Sequence, residues 1–563
     1  MISEKSKIGA VLVLAAALRL TGIHYGLPEL YHQDEPIMAN HAMALGVSGG
    51  NPHFFIIGSF GLYFLFFLYA VYYVLGGLAG VFPDTQAFAS AFLTDPTMFY
   101  LLGRVFLGAA FGTATVWVVY RIARKRFSER AAFWSALFLA VLPLHAQHSH
   151  YIYADVPLAL AVLLMLDSMQ DLAEKPSFGA YAKAGALGGW ALAVKFTAFY
   201  FLPAALLAHA FAWKGARSLS APALVRFFTA LAAGLAVFFA ITPFALISWP
   251  EFYSQVTAQT GAESRVGWLH HLVYSLAGGS GILFLFLAGI GFAAGFKKNP
   301  RLWTVWGAAC VFYYLINVFF SQPFARYMMP LVPLLALWAG YGVAALLETK
   351  ALPRTLVFAF AAAAVAEIGP VTVYSDLLFM RRDTRAECRE WIEANVPDGS
   401  PIAVDNRFFA PRLSQTQEQL RQKYAWIDDS PKSAVRKMRL DLELRLPEEK
   451  KRYTLYVLKP GAAGLEPKFV FEGPYLDPAP SALSDAGIRY LIFNGEDSPL
   501  ETAALKEELG EQLERVAVFD PYRDKSGKGV SDPFSNTAAP HLARRIFERE
   551  RLGPYLEVYR VKS

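Results

Sequence analysis

Two neighbouring carboxylates stand where an acid is expensive. In Tyr31-His32-Gln33-Asp34-Glu35-Pro36 they follow an apolar run from Ile8 to Ile23 that reads as a membrane helix. An acidic side chain at the centre of a bilayer costs about 3 kcal/mol, so the pair belongs at the interface or in a wet cavity. One reading is a cap, with Asp34 and then Pro36 opening a helix through Ile37 to Leu45. The other is a general base at the membrane surface, taking a proton from an attacking hydroxyl. A second polar cluster, His145, His148, His150 and Asp155, lies between Pro143 and Pro157. If this stretch is helical, His148, Tyr151 and Asp155 share one face and His150 does not. Asp155 also reads as a cap ahead of Pro157.

Two cations complete the set. Lys195 interrupts the apolar run Ala184 to Trp213, and Arg326 stands in Phe324-Ala325-Arg326-Tyr327-Met328-Met329-Pro330. Twelve helical residues from Lys183 climb ~18 Å, which puts Lys195 in the outer part of the membrane. There it either snorkels or meets an anion. Arg326 either marks the end of a span or stabilises negative charge.

The elements that hold these residues follow from composition. The chain has 563 residues, 55% hydrophobic and 15% aromatic, too apolar for a soluble enzyme of this length. The formal charge of +6 says nothing for nucleic acid, because the basic residues sit between candidate spans. Basic loops face the cytoplasm, and Arg121-Ile122-Ala123-Arg124-Lys125-Arg126 is the strongest such marker. Counting crossings from it gives about 11 spans of membrane-crossing length, an inside N-terminus and an outside tail. Residues 1–374 form the membrane region and 375–563 an extracytoplasmic α/β domain. Residues 54–82 are apolar but break the alternation if they cross once. The 24–100 loop is therefore read as outside, with interfacial or re-entrant helices. A continuous span is expected near 273–296. The tail shows strand candidates at Ile402–Asp405, Tyr453–Leu458, Ile488–Phe493, Val516–Phe519 and Tyr555–Val561, with helical patterns between. Glu263, Arg265, His270 and His271 are weaker candidates for acceptor contacts.

The Asp34-Glu35 pair in the first outer loop of a many-helix chain resembles the GT-C glycosyltransferases. Within them it is most similar to the protein O-mannosyltransferase and aminoarabinose lipid A transferase group. Ser149-His150-Tyr151 with Asp155-Val156-Pro157 resembles that group's second acidic motif. Gly188-Gly189-Trp190-Ala191-Leu192-Ala193-Val194-Lys195 resembles its Gly-rich stretch with a lysine, and Arg326, Tyr327, Pro330 and Pro333 resemble its Arg-Tyr motif. Trp391-Ile392 and Asn395-Val396-Pro397-Asp398-Gly399 resemble the start of the periplasmic domain of bacterial relatives.

The resemblance implies an inner-membrane enzyme that moves a sugar from a polyprenyl-phosphate donor to an extracytoplasmic hydroxyl, with inversion. The acceptor would be protein, lipid A or polysaccharide. Asp34 would be the base, with Glu35 and Asp155 orienting it or sharing charge. Lys195, Arg326 and Tyr327 would hold the donor phosphate. His148, His150 and Tyr151 are further candidates for substrate or metal contacts. No cofactor is required by the sequence. Some GT-C branches use a divalent ion, but the acids and histidines here match no specific metal spacing. A transporter would show paired halves, which are not seen. An envelope-assembly or binding protein would need neither Lys195 nor the acid pair.

Overall fold

The computed structural model describes residues 3–562 except 259–266, 321–323, 350–351, 406–408, 428–433, 446–450, 464–472, 496–499 and 525–542. Glu263 and Arg265 lie outside the described residues. Among the described residues up to 379 the regular elements are all helices. Seven helical segments are long and apolar enough to cross a membrane among the described residues: Phe60–Leu78, Thr97–Arg126, Asp155–Glu174, Ala221–Ile241, Pro300–Phe319, Ala325–Glu348 and Arg354–Asn395. The bent pair His271–Ser280 and Ile282–Lys298 raises this to eight if taken as one span. The expected number near 11 is not confirmed by this count, which leaves out the shorter helices Glu4–Leu20, Glu129–Val141 and Phe178–Val194 of 17, 13 and 17 residues.

One expectation changes. The stretch read as a continuous span near 273–296 bends by 105° at Gly281, whose φ of +87° is open to glycine and costly for other residues. Glu367 caps the restarted helix, accepting the amides of Ile282 at 3.0 Å and Leu283 at 2.8 Å. Within 54–82, read as interfacial or re-entrant helices, Phe60–Leu78 is one unbroken 19-residue helix. Its rings run from Phe111 and Trp190 at one end to Phe82, Phe88 and Phe99 at the other. With Met38, Leu45, Tyr100 and Ile152 it makes a hydrophobic core separate from that of the main bundle.

The Gly-rich stretch is a packing surface. A Cβ at Gly185 would lie 1.9 Å from the Ala230 carbonyl oxygen, and one at Gly189 2.1 Å from that of Gly234. Phe178–Val194 and Ala221–Ile241 therefore pack backbone to backbone. The first of these helices stops at Lys195, in extended backbone, and the chain turns through Phe196–Phe201 into Leu202–Ala212. The Tyr181 hydroxyl and His209 Nδ1, 2.7 Å apart, fasten the open end of this hairpin. Lys195 is its tip.

The tail holds a six-stranded sheet in the order β3-β2-β1-β4-β6-β5. The strands are β1 Pro401–Val404, β2 Thr454–Leu458, β3 Tyr475–Leu476, β4 Tyr490–Asn494, β5 Leu513–Phe519 and β6 Leu556–Val561. The first four pair in parallel, while β6 pairs antiparallel to both β4 and β5. Both faces are covered: Ile402 and Val404 pack towards Cys388 and Ile392, and Ala403 packs towards Leu483 and Leu505. Two-sided burial is what short parallel strands require.

Candidate active site

Four charges meet at one end of the bundle. Asp155 opens Asp155–Glu174, Lys195 closes Phe178–Val194, and Arg326 lies in the first turn of Ala325–Glu348. Asp34 immediately precedes Glu35–Ala44. Arg326 Nη2 is 3.0 Å from Asp34 Oδ2, and its Nε is 3.6 Å from Asp155 Oδ2. Lys195 Nζ donates to Asp155 Oδ1 at 2.7 Å. The basic cluster marks the opposite end, where Arg126 Nε donates to Asp167 Oδ1 at 2.8 Å.

Capping does not account for Asp34. It occupies the N-cap position, but its side chain makes no capping hydrogen bond and turns to Arg326 instead. Asp155 lies one residue inside its helix, where its charge also suits the positive helix end.

Glu35 behaves differently from its neighbour. The Asp34 side chain is 17% exposed and that of Glu35 is fully buried. Arg104 grips Glu35 with two parallel bonds, Nε to Oε1 at 2.8 Å and Nη2 to Oε2 at 2.6 Å. The Ile152 amide donates to Glu35 Oε1 at 3.0 Å, and Arg104 Nη1 donates to the carbonyls of Ile23 and Tyr25. Burial alone would raise the Glu35 carboxyl, but Arg104 outweighs it and holds the group below the usual carboxylate range. Glu35 thus ties the first acidic motif to the strip just before the second. Arg104 was missed in the sequence. The signal was there: an arginine inside an apolar span must have a partner.

Aromatic rings wall the cations. Lys195 Nζ lies 5.1 Å from the Tyr327 ring centroid and 5.5 Å from that of Tyr153. The Arg326 guanidinium carbon is 4.5 Å from the Phe324 centroid and 5.2 Å from that of Tyr153. Tyr327 thus sits where the motif put it, and Tyr153 is an addition.

The histidines divide. The chain is not helical between His148 and Asp155, so the shared face that a helix would give His148, Tyr151 and Asp155 does not form. Pro157 explains the break, since its ring would clash with the carbonyl of residue 153 in a continuous helix. His148 feels the charges of Asp155, Arg326 and Lys195. Burial, helped by Arg326, pushes it down to about 3 despite Asp155, which leaves a neutral imidazole. Tyr151 stacks beside His32, with ring centroids 4.1 Å apart, and His32 Nδ1 accepts the Asp34 amide at 3.3 Å. His150 faces away: its two nitrogens lie 3.0 and 2.9 Å from the carbonyl oxygens of Ala146 and Thr21. His271 is engaged with Ser275. Among the described residues no three His, Cys, Asp or Glu side chains gather as ligands for a metal ion.

Residues 98–247, which carry Arg104, Asp155 and Lys195, match the family model described as dolichyl-phosphate-mannose-protein mannosyltransferase. Among solved structures, the chain is similar to ArnT from Cupriavidus metallidurans, with 16% identity and a TM-score of 0.49 over 91% of this chain and 96% of that one. It is also similar to the oligosaccharyltransferase AglB from Archaeoglobus fulgidus, with 11% identity and a TM-score of 0.45 over 87% of this chain and 69% of that one. The Pmt1-Pmt2 protein O-mannosyltransferase of S. cerevisiae shows 23% identity and a TM-score of 0.33 over 45% of this chain and 34% of that one. No curated protein matches the chain.

Proposed function

We propose that this GT-C protein transfers a sugar from a polyprenyl-phosphate donor to a hydroxyl acceptor on the outer side of the inner membrane, with inversion. Residues 1–374 make the catalytic membrane region, residues 24–100 lie on the outer side, and 375–563 form an extracytoplasmic domain. The observation that carries this reading is the quartet Asp34, Arg326, Asp155 and Lys195, linked by contacts of 3.0, 3.6 and 2.7 Å at the end of the bundle remote from the basic cluster.

Without donor, each cation is engaged by a carboxylate. A donor phosphate competes for Arg326 and Lys195, with the arginine offering the bidentate grip. As Arg326 turns to the phosphate, Asp34 is released to act as base on the acceptor hydroxyl. The two cations then stabilise the charge that develops on the departing phosphate. Asp155 keeps them together, Tyr327 and Tyr153 shape the phosphate site, and Glu35 holds the backbone that presents Asp34. His148, which feels the charges of Asp155, Arg326 and Lys195, and Tyr151, packed beside His32, are the candidate sugar contacts.

The test is transfer by purified full-length protein in liposomes, given labelled polyprenyl-phosphate mannose or aminoarabinose and an envelope extract. Release of polyprenyl phosphate with label in the acceptor is the expected result. Failure with both donors, in protein shown to be folded, would refute the reading.

A further inference from the structure

The loop before Asp34 is gripped from two sides, and one grip comes from the tail. On the bundle side, Arg104 Nη1 donates to the carbonyls of Ile23 at 2.8 Å and Tyr25 at 2.6 Å. On the other side stands the first turn of Thr384–Asn395, the helix that opens the tail domain. Arg385 Nη2 donates to the Tyr25 hydroxyl at 3.0 Å, and that hydroxyl donates to Asp383 Oδ2 at 3.1 Å. The Arg385 guanidinium carbon lies 4.1 Å from the centroid of the Tyr31 ring. Four residues further along the helix, Arg389 Nη1 meets Glu29 Oε1 at 2.9 Å.

These contacts are too buried to be surface pairing. Tyr25 and Tyr31 are each 5% exposed, Arg385 is 4% and Asp383 3%. Asp383 neutralises Arg385 through two bonds, Oδ1 to Nε at 2.8 Å and Oδ2 to Nη2 at 2.7 Å. The arginine therefore offers no free charge for a phosphate. What it presents is a flat, fixed surface for a tyrosine ring. Gly553 guards this arrangement from the far end of the tail. A Cβ there would lie 2.4 Å from Asp383 Oδ1 and 2.2 Å from Thr384 Oγ1.

Between Tyr31 and Asp34 there are only two residues, and His32 is itself packed on Tyr151. We infer that Arg385 is a positioning residue for Asp34: the tail domain holds the loop of the base through Tyr25 and Tyr31. The tail is then part of the active site without touching substrate. This inference rests on the proposed role of Asp34, but its mechanical half stands apart from it.

The experiment compares full-length wild type, Arg385→Ala and Arg385→Lys in liposomes. Two readouts are taken: hydrogen exchange over residues 23–36, and kcat and KM for the lipid-linked sugar. Arg385→Ala is expected to raise exchange in that segment at least tenfold while leaving exchange in β1 and β4 unchanged. It should lower kcat at least tenfold with KM within twofold, since the phosphate cations are untouched. Arg385→Lys keeps the charge for Asp383 but not the flat face, and should rescue exchange and kcat only in part. Wild-type exchange over 23–36 in Arg385→Ala would overturn the inference, as would a loss confined to KM. If wild type itself transfers no sugar, the functional reading fails and the exchange result alone decides the mechanical link.

Discussion

The Asp34 carboxylate and the Arg326 guanidinium are partners, with Oδ2 and Nη2 3.0 Å apart. Asp34→Asn removes the proton acceptor at almost constant volume and weakens the hold on Arg326. We expect transfer to fall by about 10²–10⁴-fold, the range of a lost general base. Binding of polyprenyl phosphate, measured by calorimetry, should stay equal or tighten. Asn caps a helix as well as Asp does, so near-normal turnover would leave Asp34 with a structural role only.

Lys195 is the tip of a hairpin and bonds Asp155 at 2.7 Å. Lys195→Met should raise KM for the donor about tenfold or more, with each tenfold worth about 1.4 kcal/mol. Lys195→Arg should recover part of that loss. An unchanged KM in Lys195→Met would assign the phosphate to Arg326 alone.

Glu35 and Arg104 form a buried pair whose halves are 0% and 1% exposed. Removing one strands the other, at about 3–5 kcal/mol. Glu35→Leu should therefore lower the melting temperature sharply, and adding Arg104→Met should restore most of it. Transfer should stay low in the double variant, because the backbone of Asp34 has lost its anchor. A Glu35→Leu protein with normal melting and normal turnover would contradict this account.

The tail has its own pH response. Burial would raise the Glu557 carboxyl on β6, but Lys506 and Arg515 outweigh it and hold the group low. Its stabilisation is present above the unfolded value of 4.5 and is lost as pH falls through the lower folded value. Corrected for the intrinsic exchange rate, the hydrogen-exchange protection of Leu556–Val561 should fall on acidification below about pH 4.5 in wild type. The slope should flatten in Glu557→Gln. An equal slope in both proteins would place the acid sensitivity elsewhere.

Charge in an apolar setting made the site legible. Asp34, Asp155, Lys195 and Arg326 each stood out because lipid penalises a lone ion, and the structure pairs all four. Arg104 obeyed the same rule, but it was treated as part of an apolar span. Glu35 was grouped with Asp34 because they are neighbours. Residues adjacent at a helix start point about 100° apart, so one faces the cleft and the other the bundle. His150 was grouped by proximity in the same way. In the tail, five strands were visible from their apolar runs, whereas β3 has only two residues and leaves no pattern. The bend at Gly281 is held by Glu367, which is 86 residues away, while its local signal, the breaker pattern Gly278-Gly279-Ser280-Gly281, lies inside an otherwise apolar run.

The quartet is electrically neutral, with two acids against two cations. A sugar phosphodiester brings one negative charge. After transfer, Asp34 carries a proton and the lipid monoester carries close to two negative charges, so the total is again minus one. The reaction is isoelectric: charge moves from carboxylate to leaving group, and no counter-ion has to cross the lipid boundary in either direction. A sugar pyrophosphate would begin one charge heavier and end one charge heavier against the same two cations. On the proposed mechanism, a neutral quartet would favour a donor with a single phosphate in the linkage, before any contact with the sugar is made.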